Sequence, residues 1–184
     1  MPDEFLSYFG WITGVLKRPL AGSVSTDSPD YPILRDLRNG WGTRDTAELL
    51  AELDAAHGPG AAAAVERFLA PIIARDWKIL GEQEARPGTE IDDFIRVLWT
   101  PLTEAGFEYR TKRTGDGVEF AVTRCPIHEL AGRSGLREWL YHLACATDFH
   151  STPAFSSRIE FSRTCTLIRD GIPCNHAYRY RKDG

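Results

Sequence analysis

An α+β domain is the fold class this sequence predicts, an N-terminal helical layer packed on a C-terminal antiparallel sheet in the order ββαββ. Three observations predict it. Apolar residues recur every three or four positions up to Leu102, the mark of helices with one buried face. At Phe107 the period switches to two, the mark of half-buried strands. The chain of 184 residues is also long enough to bury a core without disulfides or metal to hold it. We therefore expect one domain over 1–184, mainly helical over 1–106 and ββαββ over 107–184.

Phe5 to Leu16 is apolar and aromatic at helical spacing, interrupted by Gly10 and Gly14, and predicts a short, partly buried helix. Pro19 to Gly42 collects Pro19, Gly22, Pro29, Pro32, Asn39 and Gly40 and reads as a long loop of the kind that covers sites. Asp45 to Ala56 predicts a helix capped by Asp45, with Leu49, Leu50 and Leu53 inward and Gly58-Pro59-Gly60 as its stop. From Ala61, the positions Val65, Phe68, Leu69, Ile72, Ile73, Trp77 and Leu80 mark a second amphipathic helix, which Pro71 should kink. Ile91, Phe94, Ile95, Leu98 and Leu102 mark a third, ending at Gly106.

Phe107 and Tyr109, then Val118, Phe120 and Val122 after Gly117, predict a β-hairpin closed by Cys125-Pro126. A helix from about Leu136, burying Leu136, Leu140, Leu143 and Ala144, should end near Asp148. Ile159 to Ile168 alternates again, with Ile159, Phe161, Arg163, Cys165 and Leu167 on one strand face. The Asp170-Gly171 turn then leads to a last strand from Cys174 to Tyr180.

Composition narrows the function. A formal charge of -4 with interspersed signs argues against nucleic acid as partner, and the short Arg179, Arg181, Lys182 cluster does not change that. Asp3, Glu4, Lys17 and Arg18 break the first thirty residues, so neither an export signal nor a membrane span is expected, and the predicted location is the cytoplasm. There the cysteines Cys125, Cys145, Cys165 and Cys174 are expected as reduced thiols.

The cysteines are spaced by 20, 20 and 9 positions, which excludes a CxxC pair. Cys125 at a strand end, Cys145 in the last turn of a helix and Cys174 opening a strand occupy positions where sites are built. Cys165, mid-strand, reads as a buried inert thiol. Cys145 and Asp148 share a helix face, with His142 three residues before Cys145 and His150 just beyond, so a thiol, a carboxylate and an imidazole can meet. A helix C-terminus disfavours a thiolate, so Cys145 would need a cation from His142, His150, Arg124 or Arg163. The bland readings stand beside these: a buried cysteine is more often a small hydrophobe, His142 and Asp148 suit a solvated helix face, and His57 and His128 suit one still better. Arg163 on an apolar strand face must be paired, and its fork fits a carboxylate.

Arg124-Cys125-Pro126, Cys145-Ala-Thr-Asp148, and Arg163-Thr164 followed by Leu167, Gly171 and Cys174 resemble the signature of the L-2-amino-thiazoline-4-carboxylate hydrolase family. Asn175-His176 departs from it where an acidic residue and an aromatic are typical. The resemblance implies opening of a 2-amino-thiazoline ring by water to an N-carbamoyl-cysteine type product. Cys125, Cys145 or Cys174 would serve as nucleophile, His142 or His150 would move protons, and Asp148 would orient base or water. Arg163, with Arg124, Thr164 and His176, would bind substrate. It implies no cofactor and a small-molecule substrate, and it allows a cyclase, lyase or other ring-modifying enzyme of specialised metabolism.

Two further classes remain. Cys125, Cys145, Cys174 and His176 would hold zinc or a small ligand in a sensor-like binding domain. Phe5, Tyr8, Phe9 and Trp11 would form a partner surface, with a homodimer as the preferred assembly.

Overall fold

The computed structural model describes residues 24–43 and 45–182. The expected helix over Phe5 to Leu16 and its aromatic surface lie outside them. Two compact units follow, one up to Ile72 and one from Ile73 onward. In the first, helix α1 (Tyr31–Gly40) and helix α2 (Thr46–His57) precede the opening turns of α3 (Ala61–Glu84), within which the division falls.

Helix α1 corrects the expected long loop. Pro32 sits in its first turn, where a missing N–H breaks no helical bond, and Ile33, Leu34 and Leu37 repeat at helical spacing and are buried. The local proline and glycine content was the weaker signal, because the buried stripe decides the state. Asp30, just before α1, accepts two hydrogen bonds from Arg67 at 2.7 and 3.1 Å, tying α1 to α3. Asp45 caps α2 as expected, accepting from the N–H groups of Ala47 (2.9 Å) and Glu48 (3.2 Å).

In the second unit the expected helix over Ile91 to Leu102 is present but divided: α4 (Glu90–Phe94), a π turn (Ile95–Trp99) and α5 (Thr100–Glu104). Pro101 is the physical reason. It lacks an N–H and its ring clashes with the carbonyl four residues back, so the chain widens by one residue and the Thr100 N–H reaches the Ile95 carbonyl instead. Gly106, at φ +90°, then turns the chain into the sheet.

The sheet is antiparallel with strand order β1-β2-β4-β3: β1 (Glu108–Arg113), β2 (Gly117–Arg124), β3 (Ile159–Ser162) and β4 (Cys174–Tyr180). Register pairs Phe120 with His176 and Val118 with Tyr178. Alternation therefore sends Val118, Phe120 and Val122 of β2, and Cys174, His176 and Tyr178 of β4, to one buried face. An aromatic cluster covers it: Trp99 stacks on Phe120 at 4.0 Å, and Phe94 meets Trp77, Phe155 and Tyr178 at 5.2–5.4 Å. Each such pair adds about 0.5–1.5 kcal/mol beyond its area burial.

Between β2 and β4 the chain departs from expectation three times. Helix α6 (Pro126–Ser134) follows Cys125 directly, begun by Pro126 in its first turn and stopped by Gly135. The helix expected to end near Asp148 instead runs as α7 (Arg137–Leu140) and a π turn (Tyr141–Cys145), and Asp148 opens α8 (Asp148–Phe155). The strand expected to reach Ile168 stops at Ser162. Beyond it, the Asn175 side chain takes the N–H groups of Thr164 and Cys165, both at 2.9 Å, and Thr166 caps a short helix α9 (Leu167–Asp170). Local side-chain bonds thus compete successfully with the ladder. Cys165 is consequently not a buried mid-strand thiol but half-exposed, its Sγ 3.1 Å from Asn175 Oδ1. No described helix is long and apolar enough to cross a membrane.

Candidate active site

Residues from the end of the second π turn, the first turn of α8, the segment after β3 and the middle of β4 converge on one ionic centre. Arg163 is its hinge. Its side chain is only 2% exposed, so its charge must be paired, and it donates to Asp148 Oδ2 at 2.5 Å and to the Cys145 carbonyl at 2.9 Å. Nε2 of His176 lies 3.3 Å from the same guanidinium nitrogen and 3.4 Å from Asp148 Oδ2. The faces of Phe149 and Phe161 flank the guanidinium at 5.2 and 5.9 Å.

This arrangement gives a physical reason for the spacing in Cys145-x-x-Asp148 and for the distant Arg163. A π turn leaves its last carbonyls without α-helical partners. One fork of Arg163 takes the Cys145 carbonyl and the other takes the carboxylate three residues on, so the helix junction and the ion pair are one structure.

Three thiols stand around the centre. Burial pushes all of them up. Cys125 rises to about 11 from an ordinary 9.0, although the N–H groups of His128 and Ile127 at the start of α6 pull the other way. Cys145 keeps some residue surface, but its sulfur is so densely surrounded that desolvation outweighs the attraction of Arg163 and sends it far above the thiol range. Cys174 is also raised by burial, opposed by the Leu167 N–H, which donates to its Sγ at 3.2 Å, and by the charge of Arg163. Neutral thiols are therefore the resting state.

The other residues singled out by sequence are placed as follows. His142 is near Arg169 (3.3 Å) and Glu138 (3.8 Å), and His150 lies in α8 beyond Asp148. Arg124 is bound to Glu129 at 2.8 Å and to the Gly106 carbonyl at 3.0 Å. Thr164 gives its N–H to Asn175 and accepts from the Asn175 amide at 2.7 Å. Arg169 was not singled out. Its guanidinium carbon lies 3.4 Å from the centroid of the Tyr141 ring, and it pairs with Glu138. Among the described residues, no group of three or more His, Cys, Asp or Glu is arranged to hold a metal ion.

Nδ1 of His176 is buried without a protein partner, as are Oγ1 of Thr152, Nδ1 of His128 and Nε1 of Trp139 elsewhere among the described residues. Trp99 meets His176 edge-on at 5.2 Å and Tyr178 at 6.3 Å. Burial lifts the Tyr178 phenol well above its usual range, as does the charge of Asp148, while a hydrogen bond with Trp99 and the charge of Arg163 pull the other way. Sequence reasoning put His176 among substrate-binding residues and passed over Trp99 and Tyr178. The available signal was Cys174, His176 and Tyr178 at alternate positions of one strand.

Residues 38–178, most of the chain, match the family model described as L-2-amino-thiazoline-4-carboxylic acid hydrolase. No curated protein and no solved structure matches the chain.

Proposed function

The chain belongs to the L-2-amino-thiazoline-4-carboxylic acid hydrolase family, and from that premise we propose that it is a hydrolase that opens a 2-amino-thiazoline-type ring at its amidine carbon. The observation that carries the reading is the Asp148–His176 pair held beside buried thiols by Arg163. A carboxylate on one imidazole nitrogen selects the tautomer that leaves the other free as a base. In the proposal Nε2 carries a proton turned to Asp148 rather than accepting from Arg163, and Nδ1 of His176 is that base.

In this reading Cys174, two residues before His176 on the same strand face, is the nucleophile. Its thiol is neutral at rest, and the proton leaves as sulfur attacks. The Cys174 Sγ–C2 bond forms, the ring S–C2 bond breaks, and the thiol proton passes through His176 to the departing ring sulfur. The adduct is an isothiourea on Cys174. Water then adds to the same carbon, giving a proton to His176, and the Cys174 sulfur leaves with that proton. One ring and one water become one N-carbamoyl-cysteine type product. Arg163, with both forks engaged, is a positioning residue; Arg169, 38% exposed in its side chain, is the cation for the substrate carboxylate.

A second reading is favoured by the raised thiol pKa values: His176 activates water for direct attack on the amidine carbon, with the thiols as lining. Incubation with 2-amino-thiazoline-4-carboxylate separates these. Wild type should release a free thiol and a carbamoyl product. Cys174→Ser should abolish turnover under the covalent reading and leave most of it under the direct one. Wild-type protein that leaves the ring intact sinks both.

A further inference from the structure

The sulfur proposed as the nucleophile already accepts a hydrogen bond in the resting protein. Leu167 N lies 3.2 Å from Cys174 Sγ, and the bond joins two separately anchored pieces of chain. Cys174 opens β4 and is held by the ladder opposite Val122 of β2. Leu167 opens α9, a single turn of four residues that is too short to persist by its own propensity.

Two side chains hold that turn. Thr166, 4% exposed, accepts the Arg169 N–H on Oγ1 at 3.1 Å. Asp170, exposed, accepts the Thr166 N–H on Oδ2 at 2.7 Å and the Thr166 hydroxyl at 3.4 Å. Backbone adds the Asp170 N–H on the Thr166 carbonyl at 2.8 Å and the Gly171 N–H on the Leu167 carbonyl at 3.1 Å. The first N–H groups of a helical turn have no partner within it. That of Arg169 goes to Thr166 and that of Leu167 goes to sulfur, so the bonded Thr166–Asp170 pair decides where the Leu167 N–H points.

A hydrogen bond to an ionised acceptor is about twice as strong as one to a neutral acceptor. We propose that Thr166 and Asp170 are positioning residues that hold the Leu167 N–H on Cys174 Sγ, where it meets the charge that develops as this sulfur leaves the substrate carbon. In that step water has added to the adduct carbon, the C2–Sγ bond breaks, its electron pair stays on sulfur, and the proton from His176 follows. This rests on the covalent reading for its place in the reaction, whereas the hold on the sulfur is measured without substrate.

Thr166→Val keeps the shape and removes the hydroxyl, and Thr166→Ser keeps the hydroxyl. Asp170→Ala, at an exposed position, is the further variant should Thr166→Val fold poorly. Alkylation of Cys174 by iodoacetamide is followed against pH by mass spectrometry, because access sets the height of that curve and thiol ionisation sets its position. In Thr166→Val and Asp170→Ala the curve should move to higher pH by about half a unit or more, while Thr166→Ser stays with wild type. Loss of the Asp170 charge alone would move it to lower pH, so an upward shift there reports the hydrogen bond. Arg163, Asp148, Cys125, Cys145 and Cys165, which also act on Cys174, are present in every variant. With 2-amino-thiazoline-4-carboxylate, kcat should fall about threefold or more in Thr166→Val while KM changes little, and Thr166→Ser should restore it. A curve that stays in place in the folded variants overturns the inference, as does a shifted curve with kcat unchanged. Wild type that leaves the thiazoline intact while the variants shift supports the hold on the sulfur and removes the hydrolase reading.

Discussion

Asp148 and His176 stand 3.4 Å apart between carboxylate and imidazole, although one opens a helix and the other lies mid-strand. Asp148→Asn keeps the shape but removes the charge that faces Nε2 of His176 and pairs with Arg163. We expect a loss of turnover of about 100-fold or more, with substrate affinity little changed, read by steady-state kinetics on the thiazoline.

The same carboxylate neutralises Arg163. Arg163→Met leaves Asp148 without its principal partner, and Asp148→Ala leaves a guanidinium buried and unpaired. Each should cost about 3–5 kcal/mol of stability. The double variant should cost less than the sum. Urea denaturation of all three proteins measures this.

Stability should also fall on the alkaline side. Burial raises Cys125 to about 11 from 9.0, so the folded state keeps a proton that the unfolded state releases. Its contribution is complete below about pH 9 and is lost as the pH rises toward 11, on the order of 2–3 kcal/mol. Cys125→Ala removes that dependence, and a wild-type-minus-variant difference that stays flat from pH 8 to 11 would contradict the assignment.

On the acid side the sign reverses. Asp93, 1% exposed, is held well below the usual carboxylate range mainly by hydrogen bonds from the Arg86 side chain, then by the Arg86 backbone N–H and by Thr89. Its contribution is complete above about pH 4 and is lost below it. Asp93→Asn should flatten the acid limb of the stability profile, measured by denaturant titration between pH 2 and 6.

Close approach of backbone rather than chemistry decides one further position. A Cβ on Gly81 of α3 would fall onto the Phe155 carbonyl at the end of α8, and backbone on both sides leaves no side chain to yield. Gly81→Ala should lower stability by about 1–3 kcal/mol, seen as a drop in Tm with the aromatic circular dichroism of the Phe94 cluster reduced.

Periodicity made most of the fold legible. The Leu49, Leu50, Leu53 stripe, the Val118, Phe120, Val122 alternation and the β4 strand all read correctly, because burial of one face dominates those segments. It failed where a local bond outcompeted the pattern. Asn175 unzips the strand after Ser162 by taking two backbone N–H groups, and no period reports a side chain eleven residues away. The site was half legible for the same reason. Cys145, Asp148 and Arg163 could be named from order along the chain, but the imidazole that meets Asp148 comes from β4, and only the sheet register brings His176 there.

The two π turns end at Trp99 and at Cys145, and each carries one residue more per turn than the helix around it. That extra residue is absorbed within a single wide turn. Deleting one residue within either turn would let it close to an ordinary helical turn and leave the helix beyond close to its present phase. Alignment gaps of a single position at these two places are therefore compatible with the ionic centre and change only which side chains the turn itself presents.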